Sequence, residues 1–345
     1  MNPMIASILI MNLILGSIIT MSSYHWLLAW MGLELNTLAI LPIISKLHHP
    51  RATEAATKYF LTQATASALI LFSSMINAQT TGQWNILQLE NPFAQICLTM
   101  ALSMKLGLAP AHFWLPEVLQ GTSLKTTLII ITWQKLAPIT LLFLTWNYLS
   151  TITITTMGLM SVAVGGLGGL NQTQLRKVLA FSSIAHLGWV ATIMPKSNDL
   201  ALLNLSVYII MTTPLMLSLI LLHTKTALDL SMAWTTSPIL TSLTMMTLLS
   251  LGGLPPLTGF LPKLLTLNEL ILHNMTPLAI TLAMTSLLSL FFYLRLFYSL
   301  TITMAPNPTK TKTKWRMQPT THTLLMSMAL VPTLTALPLA PLIMP

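Results

Sequence analysis

Four charged side chains occur in the middle of long apolar stretches of this sequence. Glu34, Lys105, Lys135 and Lys263 each lie inside a run long enough to cross a membrane as a helix. A charge at the centre of a bilayer costs about 3 kcal/mol or more, and it is kept where it pairs with another charge or lines a water-filled path. Because four of the 16 basic and 7 acidic residues lie at this depth, the pattern indicates ion or proton translocation.

Glu34 and Lys105 are the residue types of a buried ion pair. Each lowers the cost of burying the other, and a broken pair favours release of the lysine proton; a static structural pair is the alternative. Lys135 is central in its span, without a partner nearby in the sequence. For Lys263 the alternative is a side chain that extends to the membrane surface. Lysine suits proton transfer because it can lose its proton when buried, whereas arginine keeps it.

Two histidines extend the candidate proton path. His112 lies in PAHFW and His186 in the middle of an apolar run, AFSSIAHLGW. Histidine titrates near neutral pH and can relay protons, but a histidine that only hydrogen bonds between helices is the alternative for both. The single Cys97 excludes a disulfide framework and a cysteine metal cluster. With no phosphate-binding or dinucleotide-binding motif either, we expect no metal, cofactor or redox site on this chain.

The elements that must position these residues are membrane helices. The chain is 54% hydrophobic and only 7% charged, against about 25% charged in soluble domains. Backbone in lipid must form helices or a closed barrel, and apolar runs of about 20 residues without alternation favour helices. We therefore predict an all-α polytopic membrane protein with about eleven transmembrane helices. They lie near 3–22, 25–45, 55–76, 93–120 (interrupted), 124–146, 150–170, 174–194, 200–222, 238–272 (interrupted), 277–303 and 322–343.

The basic residues of the connecting segments give the orientation. With this span count nearly all of them fall on the same face as the N-terminus, and Lys196 falls on the other, so the positive-inside rule places the N-terminus on the inner side. The formal charge of +9 lies in short loops, which excludes nucleic acid as a partner. Arg295 is expected to extend to the inner surface, Glu117 faces either a cavity or the interface, and 304–321 is a surface loop. The N-face residues are Lys46, Arg51, Lys58, Lys125, Arg176, Lys177, Lys225, Lys310, Lys312, Lys314 and Arg316.

The two interrupted spans resemble one another. GLAPAHFWLPEVL at 107–119 aligns with GLPPLTGFLPKLL at 253–265 at a fixed offset, with six matches in thirteen positions. By the predicted topology the two spans cross in opposite directions, and an inverted repeat with proline- and glycine-broken helices is typical of secondary transporters. We therefore predict one membrane-embedded domain over 1–345, with repeat halves of about 1–146 and 150–303 and a C-terminal helix at 322–343, and breaks near 107–112 and 252–256.

Several longer segments carry a family resemblance. RATEAATKYFLTQATAS, MALSMKLGLAPAHFWLPEVLQG, GGLNQTQLRKVLAFSSIAHLGW and LSLGGLPPLTGFLPKLL closely resemble the vertebrate mitochondrial form of the antiporter-like membrane-arm subunits of respiratory complex I. The resemblance covers essentially the whole chain. The family usually has fourteen helices, and a count of eleven fits the shortened animal form, which lacks the first three.

The resemblance implies proton translocation across the mitochondrial inner membrane, coupled to electron transfer from NADH to ubiquinone. NADH, FMN, iron–sulfur clusters and ubiquinone would then belong to other subunits of the complex, and the N-terminus would face the matrix. Glu34 and Lys105 match the family's ion pair, Lys135 its central lysine and Lys263 its distal lysine, with His186 on the connecting polar axis. Expected partners are neighbouring antiporter-like subunits and phospholipids such as cardiolipin. A free-standing cation/proton antiporter and a purely structural subunit are the alternatives.

Overall fold

The computed structural model describes residues 3–47, 49–235, 237–301 and 324–339. In this part of the chain the regular structure is helical, with two isolated β-bridges, which confirms the predicted all-α class. The helices are α1 Pro3–Ser22, α2 Trp26–Ile44, α3 Pro50–Thr81, α4 Pro92–Leu106, α5 Trp114–Gly121, α6 Leu124–Ile131, α7 Trp133–Thr145, α8 Thr151–Gly169, α9 Leu175–Ile193, α10 Asn198–Leu221, α11 Ala227–Met232, α12 Pro238–Gly252, α13 Phe260–Leu272, α14 Thr276–Thr301 and α15 Leu324–Thr335.

The helices follow the predicted spans. Within the described residues, seven segments are long and apolar enough to cross a membrane: α1, α2, α3, α6 with α7, α8, α10 and α14. The remaining predicted spans correspond to α9, to the pairs α4–α5 and α12–α13, and to α15. The predicted loop at 304–321 and both ends of the predicted span 322–343 lie outside the described residues.

The third helix is longer than predicted. The sequence suggested a span at 55–76, whereas α3 covers 32 residues, so Arg51, which was expected in a loop, lies on a helix. The local cause is capping at both ends. The His49 side chain accepts a hydrogen bond from the Arg51 amide, Pro50 occupies the first turn, and Gly82 ends the helix with a φ of 73°.

Two further local features were not predicted. The span at 124–146 was expected to be continuous, but it is interrupted at Thr132, between α6 and α7. Pro138 lies inside α7, where it has no amide hydrogen to donate to the Gln134 carbonyl. In addition, α11 begins with a capping box in which Thr226 and Asp229 bond to each other's backbone. The hydrogen bond from the Thr226 backbone lowers the pKa of Asp229.

The chain divides into two compact units, one of residues 1–161 and 190–198 and the other of residues 162–189 and 199–345. In the first unit, α1 packs against α2 and α7, and α3 packs against α2, α4 and α5. In the second unit, α14 packs against α11, α12 and α13, and α15 packs against α12. The single domain and the inverted relation of its two halves remain predictions.

Close packing of α1 on α2 fixes the helix that carries Glu34. A Cβ atom added to Gly16 would lie 2.8 Å from the carbonyl oxygen of Gly32, and one added to Gly32 would lie 2.8 Å from that of Gly16. These distances are too short for any side chain. The two glycines therefore let the backbones approach closely, as small residues do between membrane helices.

Candidate proton-transfer sites

The first helix break has the predicted position, residues 107–113 between α4 and α5. Gly107 ends α4 and has a φ of 73°, a backbone conformation that favours glycine. The amide of Gly107 donates to the Met104 carbonyl, and the amide of Leu108 donates to that of Ser103. The indole nitrogen of Trp114 also donates to the Met104 carbonyl at 2.9 Å. Carbonyl groups that the end of α4 would leave unpaired are thus satisfied within the unit.

The second break, residues 253–259 between α12 and α13, begins with the same hydrogen bonds. Gly253 has a φ of 78°, its amide donates to the Ser250 carbonyl, and the Leu254 amide donates to that of Leu249. These residues are the sequence equivalents of Gly107, Met104, Leu108 and Ser103. The repeat therefore includes the hydrogen bonds that end each helix as well as the residue types.

At each break, a lysine donates a hydrogen bond to a carbonyl at the same position of the repeat. The ammonium group of Lys135, on α7, donates to the carbonyl of Leu106 at 2.5 Å. The ammonium group of Lys263, on α13, donates to the carbonyl of Gly252 at 2.9 Å. Leu106 and Gly252 are equivalent positions, directly before the glycine that ends each helix. Because the C-terminus of a helix carries partial negative charge, both carbonyls favour a cation.

The two lysines are not at equivalent positions of the repeat, since Lys135 lies on α7 and Lys263 on α13. The sequence equivalent of Lys263 in the first repeat is Glu117, which does not reach the break. The alignment of the two repeat segments therefore predicted the position of both breaks. It did not predict that Lys135, from the next span, donates to the carbonyl at the first break. The inward contact of Lys263 also contradicts the alternative in which its side chain extends to the membrane surface.

A cavity in the first unit brings Lys105 and Lys135 together. Both are almost fully buried, with 4% and 1% of their surface exposed. Lys135 also lies 5.3 Å from the centre of the Trp114 ring, within the range of a cation–π contact. Among the described residues, neither the Lys105 ammonium nor the Gln134 amide nitrogen has a hydrogen-bond partner. The other lining residues are Leu33, Asn36, Thr37, Tyr59, Gln63, Ala137 and Pro138.

The predicted ion pair takes a different form. Glu34 is half-buried, and its carboxylate accepts hydrogen bonds from the hydroxyl groups of Ser67 and Thr37. Within the described part of the chain, no lysine nitrogen lies within 4.0 Å of it. A direct salt bridge with Lys105 was therefore wrong for this structure, although Glu34 lies within electrostatic range of Lys105. A link between them through one water molecule remains a prediction.

A cavity in the second unit brings His186 and Lys263 together. His186 lies on α9 and Lys263 on α13, and both line this cavity. The ring of His186 also contacts that of Tyr208, with centroids 5.3 Å apart. Asn204 lines the same cavity from α10 and was not predicted from the sequence. The other lining residues are Trp189, Met211, Gly259 and Pro262.

Three other residues have defined surroundings. His112 is buried in the first break, where a ring nitrogen lies 3.2 Å from the Pro110 carbonyl, and it does not line either cavity. Glu117, whose surroundings were left open, is half-exposed and pairs with Lys58 at 2.7 Å. Arg295 is exposed, and its guanidinium donates to the Leu170 carbonyl just after the end of α8; its extension to the inner surface stays a prediction. That contact satisfies a helix C-terminus.

The chemistry available in both cavities is proton transfer. Each contains a lysine held at a helix C-terminus and a second titratable group, Lys105 in one and His186 in the other. In the described residues no group of three or more histidine, cysteine, aspartate or glutamate side chains is placed to hold a metal ion.

Comparison with known proteins gives the family. Residues 23–289 match the family model described as NADH:quinone oxidoreductase/Mrp antiporter, TM, and residues 290–344 match NADH dehydrogenase subunit 2 C-terminus. NADH-ubiquinone oxidoreductase chain 2 of Xenopus laevis is 54% identical over 342 residues, which cover 99% of this chain and 99% of the relative. The protein of that name from Latimeria chalumnae is 55% identical and covers 99% of this chain and 98% of the relative.

Solved structures agree with this assignment. A chain in respiratory complex I from Thermus thermophilus with bound aureothin has a TM-score of 0.87 and 27% identity, over 99% of this chain and 80% of that chain. A chain of the Mrp complex from Dietzia sp. has a TM-score of 0.76 and 16% identity, over 97% and 75%, and shares the fold. The family resemblance and the multi-pass membrane class read from the sequence are confirmed. The chain therefore belongs to the NADH:quinone oxidoreductase/Mrp antiporter family of transmembrane subunits, within its NADH-ubiquinone oxidoreductase chain 2 branch.

Proposed function

We propose that this chain is a core membrane-arm subunit of respiratory complex I that moves protons across the mitochondrial inner membrane. Electron transfer from NADH to ubiquinone on other subunits drives this movement. The observation that carries the proposal is the lysine at each helix break. Lys135 and Lys263 donate to equivalent carbonyl groups and lie in cavities that contain a second titratable side chain.

The helix ends give each lysine two states. A protonated lysine donates a charge-assisted hydrogen bond to the carbonyl at the end of the broken helix, and the partial negative charge there stabilises it. A neutral lysine makes a weaker bond, so loss of the proton loosens the contact. The proton then passes through water to the second group in the cavity, because direct transfer needs a hydrogen-bonded connection. In the first unit that group is Lys105, and in the second unit it is His186.

The electron carriers belong elsewhere in the complex under this proposal. NADH, FMN, iron–sulfur clusters and ubiquinone are assigned to other subunits. An iron–sulfur cluster uses several cysteine ligands, and this sequence has one cysteine. Partners are neighbouring antiporter-like subunits. The basic ends of the helices, which include Lys46 and Lys177, face the matrix with the N-terminus and suit anionic phospholipids such as cardiolipin.

A free-standing cation/proton antiporter is the second candidate. Hard cations such as sodium prefer oxygen ligands. The first cavity instead contains two lysines, Lys105 and Lys135, and their positive charge repels a metal cation. This observation favours protons as the transported species. A purely structural subunit would have no need of a lysine at each break.

The experiment compares the assembled complex with and without Lys263→Met, reconstituted in liposomes with ubiquinone. NADH oxidation and proton movement are recorded together. We expect fewer protons moved per NADH in the variant, while the matched Lys196→Met variant, changed in a short connection, keeps the normal ratio. Sodium movement in place of proton movement would favour the antiporter. A normal number of protons moved per NADH in Lys263→Met would favour a purely structural subunit.

A further inference from the structure

The second cavity contains a buried amide that the proton path described above does not use. Asn204 lies on α10 and has 6% of its surface exposed. Both of its polar side-chain atoms are buried, and among the described residues neither has a hydrogen-bond partner. Asn204 shares this cavity with His186 and Lys263, and Lys263 lies within electrostatic range of the His186 ring.

A buried amide without partners is costly. Leaving one polar group unsatisfied costs about 1–3 kcal/mol, and Asn204 has two such atoms. Apolar residues of similar size, such as leucine, would avoid this cost. The volume of the cavity that is open to the centre of a water molecule is about 10 Å³, which is on the order of one water site. A water molecule bound to polar groups on the cavity wall would remove the penalty.

We propose that Asn204 is a positioning residue of the proton path, whose amide holds the water that joins the Lys263 ammonium to the His186 imidazole. This inference rests on the proposed function and identifies the connection inside the second unit. Lys263 uses one of its three N–H groups for the Gly252 carbonyl, which leaves two donors for water. The His186 ring supplies a nitrogen that accepts a proton when neutral.

The amide group suits both protonation states of the path. When Lys263 is protonated it donates to the water, and the Asn204 oxygen can accept a hydrogen from that water. When Lys263 is neutral its nitrogen accepts instead, and the Asn204 amide nitrogen can donate. In the transfer, Lys263 gives a proton to the water oxygen while the water gives another proton to His186. The water is regenerated, Lys263 becomes neutral and His186 becomes positively charged.

The test uses two variants with nearly the same shape, Asn204→Thr and Asn204→Val, in the assembled complex. Both replace the amide with a β-branched side chain, but only threonine keeps a hydroxyl group that can bind water. Protons moved per NADH are measured in liposomes, and NADH oxidation is measured with an uncoupler to report the electron-transfer activity. Thr213→Val is the control, because Thr213 lies on the same helix outside the cavity, and its hydroxyl donates to the Ile210 carbonyl of its own helix.

We expect Asn204→Val to lower coupled proton movement roughly three- to tenfold, the factor that one lost hydrogen bond of ordinary strength produces. Asn204→Thr should keep most of it, and Thr213→Val should keep all of it. Equal losses in the threonine and valine variants would overturn the proposal, because a role in packing alone predicts no difference between them. Normal pumping in Asn204→Val would also overturn it.

Failure of this proposal can be distinguished from failure of the proposed function. If Lys263→Met loses proton movement while Asn204→Val retains it, the Asn204 proposal fails and the proposed function stands. If both variants pump normally, both proposals fail. Should the valine variant not assemble, an electron cryo-microscopy map of the unchanged complex decides. Water density within hydrogen-bond distance of the Asn204 amide and of Lys263 or His186 supports the proposal, and a dry cavity overturns it.

Discussion

At the level of single residues, hydroxyl groups hold the acidic member of the predicted ion pair. Ser67 and Thr37 donate to the Glu34 carboxylate, while the Lys105 ammonium is buried without a hydrogen-bond partner among the described residues. Hydrogen bonds from hydroxyl groups stabilise an ionised carboxylate. The arrangement separates Glu34 from Lys105 and leaves the lysine available to exchange its proton with the cavity.

We therefore expect Glu34→Gln to impair proton movement without preventing assembly. Glutamine keeps one acceptor oxygen for either Ser67 or Thr37, and its amide nitrogen can donate to the other hydroxyl group. It removes the negative charge near Lys105. Removing this charge changes the balance between the protonated and the neutral lysine, so proton movement per NADH should fall clearly. Glu117→Gln is the control, because Glu117 is half-exposed and pairs with Lys58. Equal behaviour of the two variants would argue against a role for Glu34.

At the level of elements, the two broken helices show what the sequence could and could not predict. The aligned glycines and prolines predicted both breaks, since glycine tolerates positive φ and proline cannot continue a helix. The interruption at Thr132 has only Pro138 as a signal, six residues away. The contact of Lys135 with Leu106 joins residues 29 positions apart. Such a contact depends on packing of helices, which residue spacing within one helix does not specify.

The same limit applies to the cavity residues. Charged residues in apolar runs are conspicuous, so Lys105, Lys135 and Lys263 could be selected from the sequence. Asn204, in LLNLSVY, carries no charge, and polar uncharged residues are common in these helices. Its importance depends on the missing hydrogen-bond partners and on the shared cavity. Both are properties of the folded chain.

The second break gives a prediction about backbone and side chain together. Gly253 has a positive φ, and a Cβ atom there would lie 2.9 Å from the Lys263 ammonium nitrogen. Gly253→Ala therefore adds strain of about 1–2 kcal/mol and also pushes Lys263 from the Gly252 carbonyl. Gly82→Ala is a matched control, because Gly82 has a φ of +73° with no atom within 4 Å of the added Cβ. We expect similar losses of thermal stability but reduced proton movement only for Gly253→Ala. Equal proton movement in both variants would contradict the role of that contact.

At the level of the whole molecule, charged residues are rare, so the role of each one can be tested by a single substitution. Only 7% of the residues are charged, and each cavity contains a lysine that donates to the carbonyl at the end of a broken helix. The hypothesis that the titratable groups form one hydrated line near the middle of the membrane follows from their depth in the predicted spans. It remains a prediction, as does the inverted relation of the two repeats.

The central claim is that the buried lysines carry protons rather than only stabilise the fold. The most direct measurement compares Lys135→Met and Lys135→Arg with the unchanged complex in liposomes, recording ubiquinone reduction and proton movement in the same sample. Arginine keeps the charge and can still donate to the Leu106 carbonyl, but it does not release its proton. We expect a lower ratio of protons to NADH in both variants, with assembly retained in Lys135→Arg. A normal ratio with normal coupling in Lys135→Met, or full pumping by Lys135→Arg, would contradict it.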